Sequence, residues 1–256
     1  MLPIERKNEI LSRLMIDGKV VVSDLSARFN VTEETIRRDL DKLEKDGLAR
    51  KTYGGAVKTD NLSIELPYTI RQKTNVDAKK QIAELIAERI EDGDSILLDA
   101  STTALYTVKS IYNKENIAIL TNSVQILLDA PPKGNWNILS TGGVLNGDSL
   151  YFSGRQVEEV ADRYHMKYAI LSCKGIDMEN GLTDASIRSA DIKRAFLRGA
   201  GKIILAVDAT KFGRTALVKI ADFSVIDTVV TDVEPSDAWK QFFRDKGIEL
   251  VYPNHP

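Results

Sequence analysis

The sequence predicts an α/β protein of two parts, a small winged helix-turn-helix over residues 1–58 and, after a linker at 59–75, a larger domain over 76–256 built on a mainly parallel sheet. Three observations point there. Residues 4–45 carry three apolar patterns at helical spacing, separated by turn signals. Residues 47–58 hold two strand-like pieces about Gly54-Gly55. Beyond residue 95, short apolar runs alternate with stretches of helical pattern, as they do where parallel strands are joined by crossover helices.

In the first part, Ile4, Ile10, Leu11, Leu14 and Met15 define one helix, which Gly18 ends. Lys19 to Val22 is too short and too β-branched to continue it, and Ser23 is placed to cap a second helix that buries Leu25 and Phe29. After a turn at Asn30-Val31, Thr32 stands as an N-cap, Glu33 and Glu34 load the first turn with the charge its dipole favours, and Ile36, Leu40 and Leu43 form one stripe. The opposite face carries Glu34, Thr35, Arg37, Arg38 and Lys42, groups suited to base edges and phosphates in a major groove. From Gly47 to Lys58 there are three cations and no acid, so a ribbon presenting Arg50, Lys51 and Tyr53 meets a phosphate backbone without repulsion. A double-stranded DNA operator is the expected partner, bound by a homodimer or homotetramer because one such helix reads only a few base pairs.

Overall charge does not drive that binding. The 256 residues carry a formal charge of −2, with 12 Lys+Arg against 10 Asp+Glu in residues 1–58, so any DNA contact is local. Cysteine and histidine exclude other chemistry: Cys173 has no disulfide partner, and with only His165 and His255 there is no Cys/His zinc site and no basis for a serine–histidine triad. No metal or cofactor is expected. The absence of a long apolar run or a secretory leader points to a soluble cytoplasmic protein without membrane association.

In the second part a charged helix from Asp77 precedes seven candidate strands, Ser95–Asp99, Ile117–Thr121, Asn137–Thr141, Tyr168–Ser172, Ile203–Asp208, Asp227–Asp232 and Ile248–Tyr252. Ligands of such sheets lie beyond the carboxyl ends of the strands. There the sequence offers Asp99, Ser101, Thr102 and Thr103 at a strand-to-helix turn, then Asn122, then Thr141, Gly142 and Gly143, then Lys174, and finally Lys211, with Asp184 nearby. Hydroxyls and backbone N–H groups at a helix start, supplemented by lysines, suit an anionic polyol such as a sugar phosphate.

Val31-Thr32-Glu33-Glu34-Thr35-Ile36-Arg37-Arg38-Asp39-Leu40, followed by Leu43-Glu44, Gly47, Arg50 and Gly54-Gly55-Ala56, closely resembles the signature of the DeoR family of bacterial transcriptional regulators. The resemblance continues through Asp99 to Thr103, Thr121-Asn122-Ser123, Thr141-Gly142-Gly143, Gly175-Ile176-Asp177, Gly181-Leu182 and Asp208 to Gly213. It implies a repressor of carbohydrate catabolic genes, whose sensor domain is similar in fold to ribose-5-phosphate isomerases and takes phosphorylated sugars or related metabolites. Two positions depart from the pattern. Ser101 stands where the family commonly has glycine, and only Asp191 is acidic across Ser186 to Asp191, so the polar end of the pocket differs.

Rival readings are weaker. An isomerase with an appended DNA-binding domain needs a carboxylate base, for which Asp177 and Asp184 are the candidates, but it lacks the Lys-Gly-Gly-Gly block of such enzymes. A dinucleotide sensor needs a Gly-x-Gly-x-x-Gly turn after a strand, and none is present. A DNA-binding protein without a ligand gives no reason for hydroxyl-rich strand ends.

Overall fold

The apolar positions of the N-terminal segment converge on one core. Helix α1 (Pro3–Asp17) has proline in its first turn, where a missing N–H breaks no bond, and ends at Gly18 with φ 75°. Strand β1 (Lys19–Val21) leads into α2 (Val22–Phe29), and Asn30 turns the chain at φ 51° toward α3 (Glu33–Lys45). Thr32 caps α3, its hydroxyl accepting the Thr35 N–H at 3.3 Å. Ser23 does not cap α2. Val21 still pairs with Gly55 and the Val22 N–H donates to the Gly54 carbonyl, so the helix starts where the ladder stops and Ser23 falls inside its first turn.

Strands β2 (Ala49–Thr52) and β3 (Gly55–Lys58) form the wing, with β1 antiparallel on the far side of β3. The turn is Tyr53-Gly54, one residue earlier than expected, because Gly55 is already paired on both sides. A Cβ on Gly55 would lie 1.9 Å from the Val20 carbonyl oxygen, so a side chain there would break the three-stranded sheet. Ile10, Leu14, Leu25, Ile36, Leu40 and Leu43 bury one another, and inside the unit the Arg6 guanidinium meets the Asp39 carboxylate at 2.6 Å. Residues 59–75, expected to be a linker, instead contain α4 (Tyr68–Lys73), which packs on α1 and places Ile70 in the same core. A helix of one and a half turns leaves no readable periodicity.

The computed structural model describes residues 1–130 and 135–253, and divides into two units, Met1–Asn75 and Val76–Pro256. In the second unit, α5 (Val76–Ala87), β4 (Ser95–Leu98), α6 (Thr102–Ser110), β5 (Ala118–Thr121), α7 (Val124–Asp129) and β6 (Asn137–Ser140) come first. A hairpin follows, β7 (Val144–Asn146) and β8 (Tyr151–Ser153), then α8 (Arg155–Ala161), β9 (Met166–Leu171), β10 (Gly175–Asp177), β11 (Gly181–Asp184) and α9 (Ile187–Arg198). The chain ends with β12 (Ala200–Ala206), β13 (Val218–Ala221), β14 (Thr228–Val230), α10 (Asp237–Asp245) and β15 (Glu249–Val251).

The seven strands expected from the sequence are the seven strands of one sheet, in the order β15-β14-β12-β9-β4-β5-β6, with every pairing parallel. Ile96, Leu97 and Leu98 are all fully buried, so β4 is covered on both faces. Phe196 of α9 and Trp239 and Phe243 of α10 join Leu97, Leu171, Leu205 and Val229 in one core. From β4 the sheet grows through β5 and β6 in one direction and through β9, β12, β14 and β15 in the other. The order therefore reverses between β4 and β9, where the connections leave in opposite directions, and in open parallel sheets such a point, at the carboxyl ends of the strands, is where ligands bind. The small antiparallel pieces, β7-β8 and β10-β11-β13, were not expected; their strands are too short and too polar to stand out. No helix of the described residues is long and apolar enough to cross a membrane.

Candidate functional site

Two surfaces carry the predicted residues, one in each unit. In the first, the stripe of Ile36, Leu40 and Leu43 faces the core and thereby turns Glu34, Arg37, Arg38 and Lys42 outward. Neither arginine is idle. Arg37 meets Glu33 at 2.6 Å and Arg38 meets Glu34 at 3.3 Å, each one helical turn back. The Thr35 hydroxyl lies 3.0 Å from that of Thr32, closing the helix start. Lys51 of β2 pairs with Asp41 of α3, and its N–H donates to Glu44 at 2.8 Å, which fastens the wing to the helix. The bond to Asp41 holds the Lys51 ammonium above its ordinary pKa. Arg50 is exposed, and Tyr53 stands fully in solvent at the tip of the wing.

In the second unit the switch point is built around a residue that the sequence reading missed. Asp99, at the end of β4, accepts the Ser101 N–H and, across to the end of β9, the Ser172 N–H, both at 3.1 Å. Lys193 of α9 places its Nζ 3.6 Å from Asp99 Oδ2 and donates to Asp184 Oδ2. Asp184 also accepts the Ala185 N–H at 2.7 Å and the Ser189 hydroxyl at 3.1 Å. The lysine side chain is 12% exposed and the two carboxylates 2% and 5%.

Burial alone would raise the Asp184 pKa and lower that of Lys193. Their attraction for each other, with Asp99 adding to the field at the lysine, reverses both directions, so the aspartate sits below and the lysine above its ordinary value. Beside them burial pushes the Cys173 thiol up to about 12 against the pull of Lys193, leaving it protonated and inert at neutral pH. Lys174 acts electrostatically on Asp184, and Lys211 on Cys173 and Asp208. Asp208, which burial would push up, is brought below its usual range by Lys211, by the Thr210 hydroxyl and N–H and by Lys79.

Of the predicted set, Asp99, Lys174, Asp184 and Lys211 thus share one neighbourhood, centred on Lys193. A signal for Lys193 does exist in the sequence: it lies three residues after Ala190 and three before Phe196, both fully buried, so a lysine stands within the apolar stripe of its helix. The remaining predicted residues lie at the same sheet end and have evident work in the fold. Ser101 caps α6 by accepting the Ala104 N–H at 3.0 Å, and Thr102 and Thr103 are buried in its first turn. Asn122 donates to the Phe152 carbonyl at 3.0 Å, while its buried Oδ1 accepts no hydrogen bond among the described residues. Thr141 is buried, and the Gly142 N–H donates to the Ser140 hydroxyl at 3.1 Å. Gly143, at φ 116°, lets β8 approach so closely that a Cβ would lie 2.7 Å from the Ser153 carbonyl oxygen.

The candidate bases of the isomerase reading are unsuited to that work. Asp184 is neutralised by Lys193, and Asp177 is half-buried, its pKa held down by the N–H groups of Asn180 and Glu179. Asp191 pairs with Arg194 at 2.6 Å, and His165 is exposed ahead of β9. His255 lies outside the described residues.

Two family models match the chain: a DeoR-like helix-turn-helix domain over residues 6–61 and a DeoR C-terminal sensor domain over residues 74–233. An HTH-type transcriptional regulator of Bacillus subtilis, YulB, is 36% identical over 251 residues, covering 98% of this chain and 97% of its own. The putative aga operon transcriptional repressor of Escherichia coli O157:H7 is 32% identical, covering 96% and 93%, and the glycerol-3-phosphate regulon repressor of Escherichia coli K12 is 29% identical, covering 96% and 97%. Among solved structures, eIF2B delta of Chaetomium thermophilum aligns at 19% identity and a TM-score of 0.44 over 63% of this chain and 57% of its own. Ribose 5-phosphate isomerase A of Methanocaldococcus jannaschii aligns at 14% identity and 0.39 over 54% and 55%.

Proposed function

The chain belongs to the DeoR family of transcriptional regulators, and from that premise we propose that it represses sugar or carbohydrate catabolic genes and senses a phosphorylated sugar or a related metabolite. The observation that carries the effector half is the Lys–Asp cluster at the β4/β9 switch point. A phosphorylated polyol has two chemistries to satisfy, a dianion and a set of hydroxyls. In this reading Lys211 and Lys174 supply charge to the phosphate together with the first turn of α6 at Ser101 to Thr103, while Asp99, Asp184 and Asn122 accept from hydroxyls. Thr141, Gly142 and Gly143 close the pocket with small polar groups.

In the DNA-binding half, Arg37, Arg38 and Lys42 enter a major groove from α3, Thr32, Glu34 and Thr35 sit at its leading end, and Arg50, Lys51 and Tyr53 of the wing follow the backbone. A homodimer or homotetramer presents two such helices to paired half-sites. Relatives bear names of both signs, repressors and, in Haemophilus influenzae, an L-fucose operon activator; repression with release by effector is the sign we assign here.

Calorimetry with a panel of sugar phosphates and the matching free sugars tests the effector half. At least one phosphate ester is expected to bind, with its free sugar weaker by about tenfold or more, the loss of a charge-assisted contact. Lys211→Ala should abolish that difference. Equal affinity for a sugar and its phosphate would overturn the anion site.

A further inference from the structure

Helix α3 is acidic for an element that enters DNA. Glu33, Glu34, Asp39, Asp41 and Glu44 outnumber Arg37, Arg38, Lys42 and Lys45. Asp39 is accounted for by its buried pair with Arg6, but the side chains of Glu33, Glu34 and Asp41 are 46%, 63% and 46% exposed. Each holds a cation that faces DNA in the reading above: Glu33 holds Arg37, Glu34 holds Arg38 and Asp41 holds Lys51.

Resting on that reading of α3, we propose that Glu33, Glu34 and Asp41 are specificity-determining residues, carboxylates that suppress binding to DNA of arbitrary sequence. Affinity for arbitrary duplex comes from cations that neutralise phosphates and release counterions. A cation that already has a carboxylate gains little by exchanging it for a phosphate, and the displaced carboxylate is then left in the negative field of the DNA. A cognate site offsets this exchange. A guanine edge takes an arginine in two parallel hydrogen bonds, and a cytosine amino group gives Glu34 a donor in place of Arg38. The same geometry has a contrary reading, in which Glu33 and Glu34 brace the arginines for base contact. The two differ in sign: a brace removed weakens cognate binding, whereas a suppressor removed strengthens non-cognate binding.

Fluorescence anisotropy with the full-length chain separates them, using a mixed-sequence duplex and a duplex selected by the wild-type chain from a random pool. Glu33→Gln/Glu34→Gln and Asp41→Asn keep the shape of the side chains, and circular dichroism verifies the fold. The double variant should bind mixed-sequence DNA about tenfold more tightly, with a salt dependence steeper by about one to two phosphate equivalents. Asp41→Asn should show the same direction to a smaller extent, and the ratio of selected to mixed-sequence affinity should narrow in both. Unchanged or weaker mixed-sequence binding in folded variants would overturn the inference alone. A wild-type chain that binds no duplex at low salt would overturn the reading of α3 and this inference with it.

Discussion

The outer face of α3 and the switch point both hold lysine or arginine against carboxylate, and what distinguishes these two places is water. On α3 the Arg38–Glu34 pair is 73% and 63% exposed, and pairs of that kind contribute little to stability and change partners readily. At the switch point Lys193 and its two aspartates are almost wholly buried, so none can lose its partner without leaving a charge stranded in the interior. The difference fits the two tasks proposed for these surfaces: one that trades its ion pairs for phosphates would keep them wet, while one that holds its shape before a ligand arrives would keep them dry.

The largest test of this contrast is Lys193→Met, which strands Asp99 and Asp184. Stability in urea denaturation should fall by about 3–5 kcal/mol, and adding Asp184→Asn should recover part of it. An unchanged midpoint would mean that the cluster is as freely hydrated as the pairs on α3. Arg37→Ala and Arg38→Ala should do the opposite, leaving the unfolding midpoint in place while each loses about 1–3 kcal/mol of binding to a selected duplex if it contacts a base. Unaltered affinity in both, measured by anisotropy, would remove α3 from the interface.

Acid sharpens the contrast further. Asp184 has a folded pKa below its unfolded value of 3.8, so its contribution is present above about pH 4 and is lost as pH falls through the folded value. Lys193 is raised above 10.5, so its contribution is present below that pH and is lost as pH rises through its folded value. Urea midpoints measured from pH 7 down to 3 should therefore fall less steeply in Asp184→Asn than in wild type, and parallel curves would contradict the pairing. The smallest effect belongs to the cap of α3: Thr32→Ala should cost about 1 kcal/mol in the same assay, and no change would mean that the Thr35 N–H finds another acceptor.

How much of this was legible in the sequence follows the same division. The α3 surface could be read directly because its residues are brought together by one helix, whose period turns Ile36, Leu40 and Leu43 inward and Arg37 and Arg38 outward. The seven parallel strands were legible for a similar local reason, since strands buried on both faces read as unbroken apolar runs such as Ile96-Leu97-Leu98. Lys193 was not, because its partners lie 94 and 9 residues back in the chain, at Asp99 and Asp184, and only the folded sheet brings all three together. The cap of α2 was misplaced by two residues, Ser23 for Val21, and the wing turn by one, because strand pairing, a tertiary term, overrode local capping and turn preferences.

An effector bound at the switch point is expected to weaken DNA binding by α3, and DNA affinity measured against effector concentration reads that coupling. Anisotropy of the full-length chain on a selected duplex, titrated with each sugar phosphate and each free sugar, should show at least one phosphate ester weakening DNA binding by about 5- to 150-fold, the range of an allosteric coupling. The matching free sugar should do so only weakly, and Lys211→Ala should bind the duplex as the wild type does and ignore the ester. A chain that binds the selected duplex with the same affinity whatever sugar phosphate is present would contradict the account.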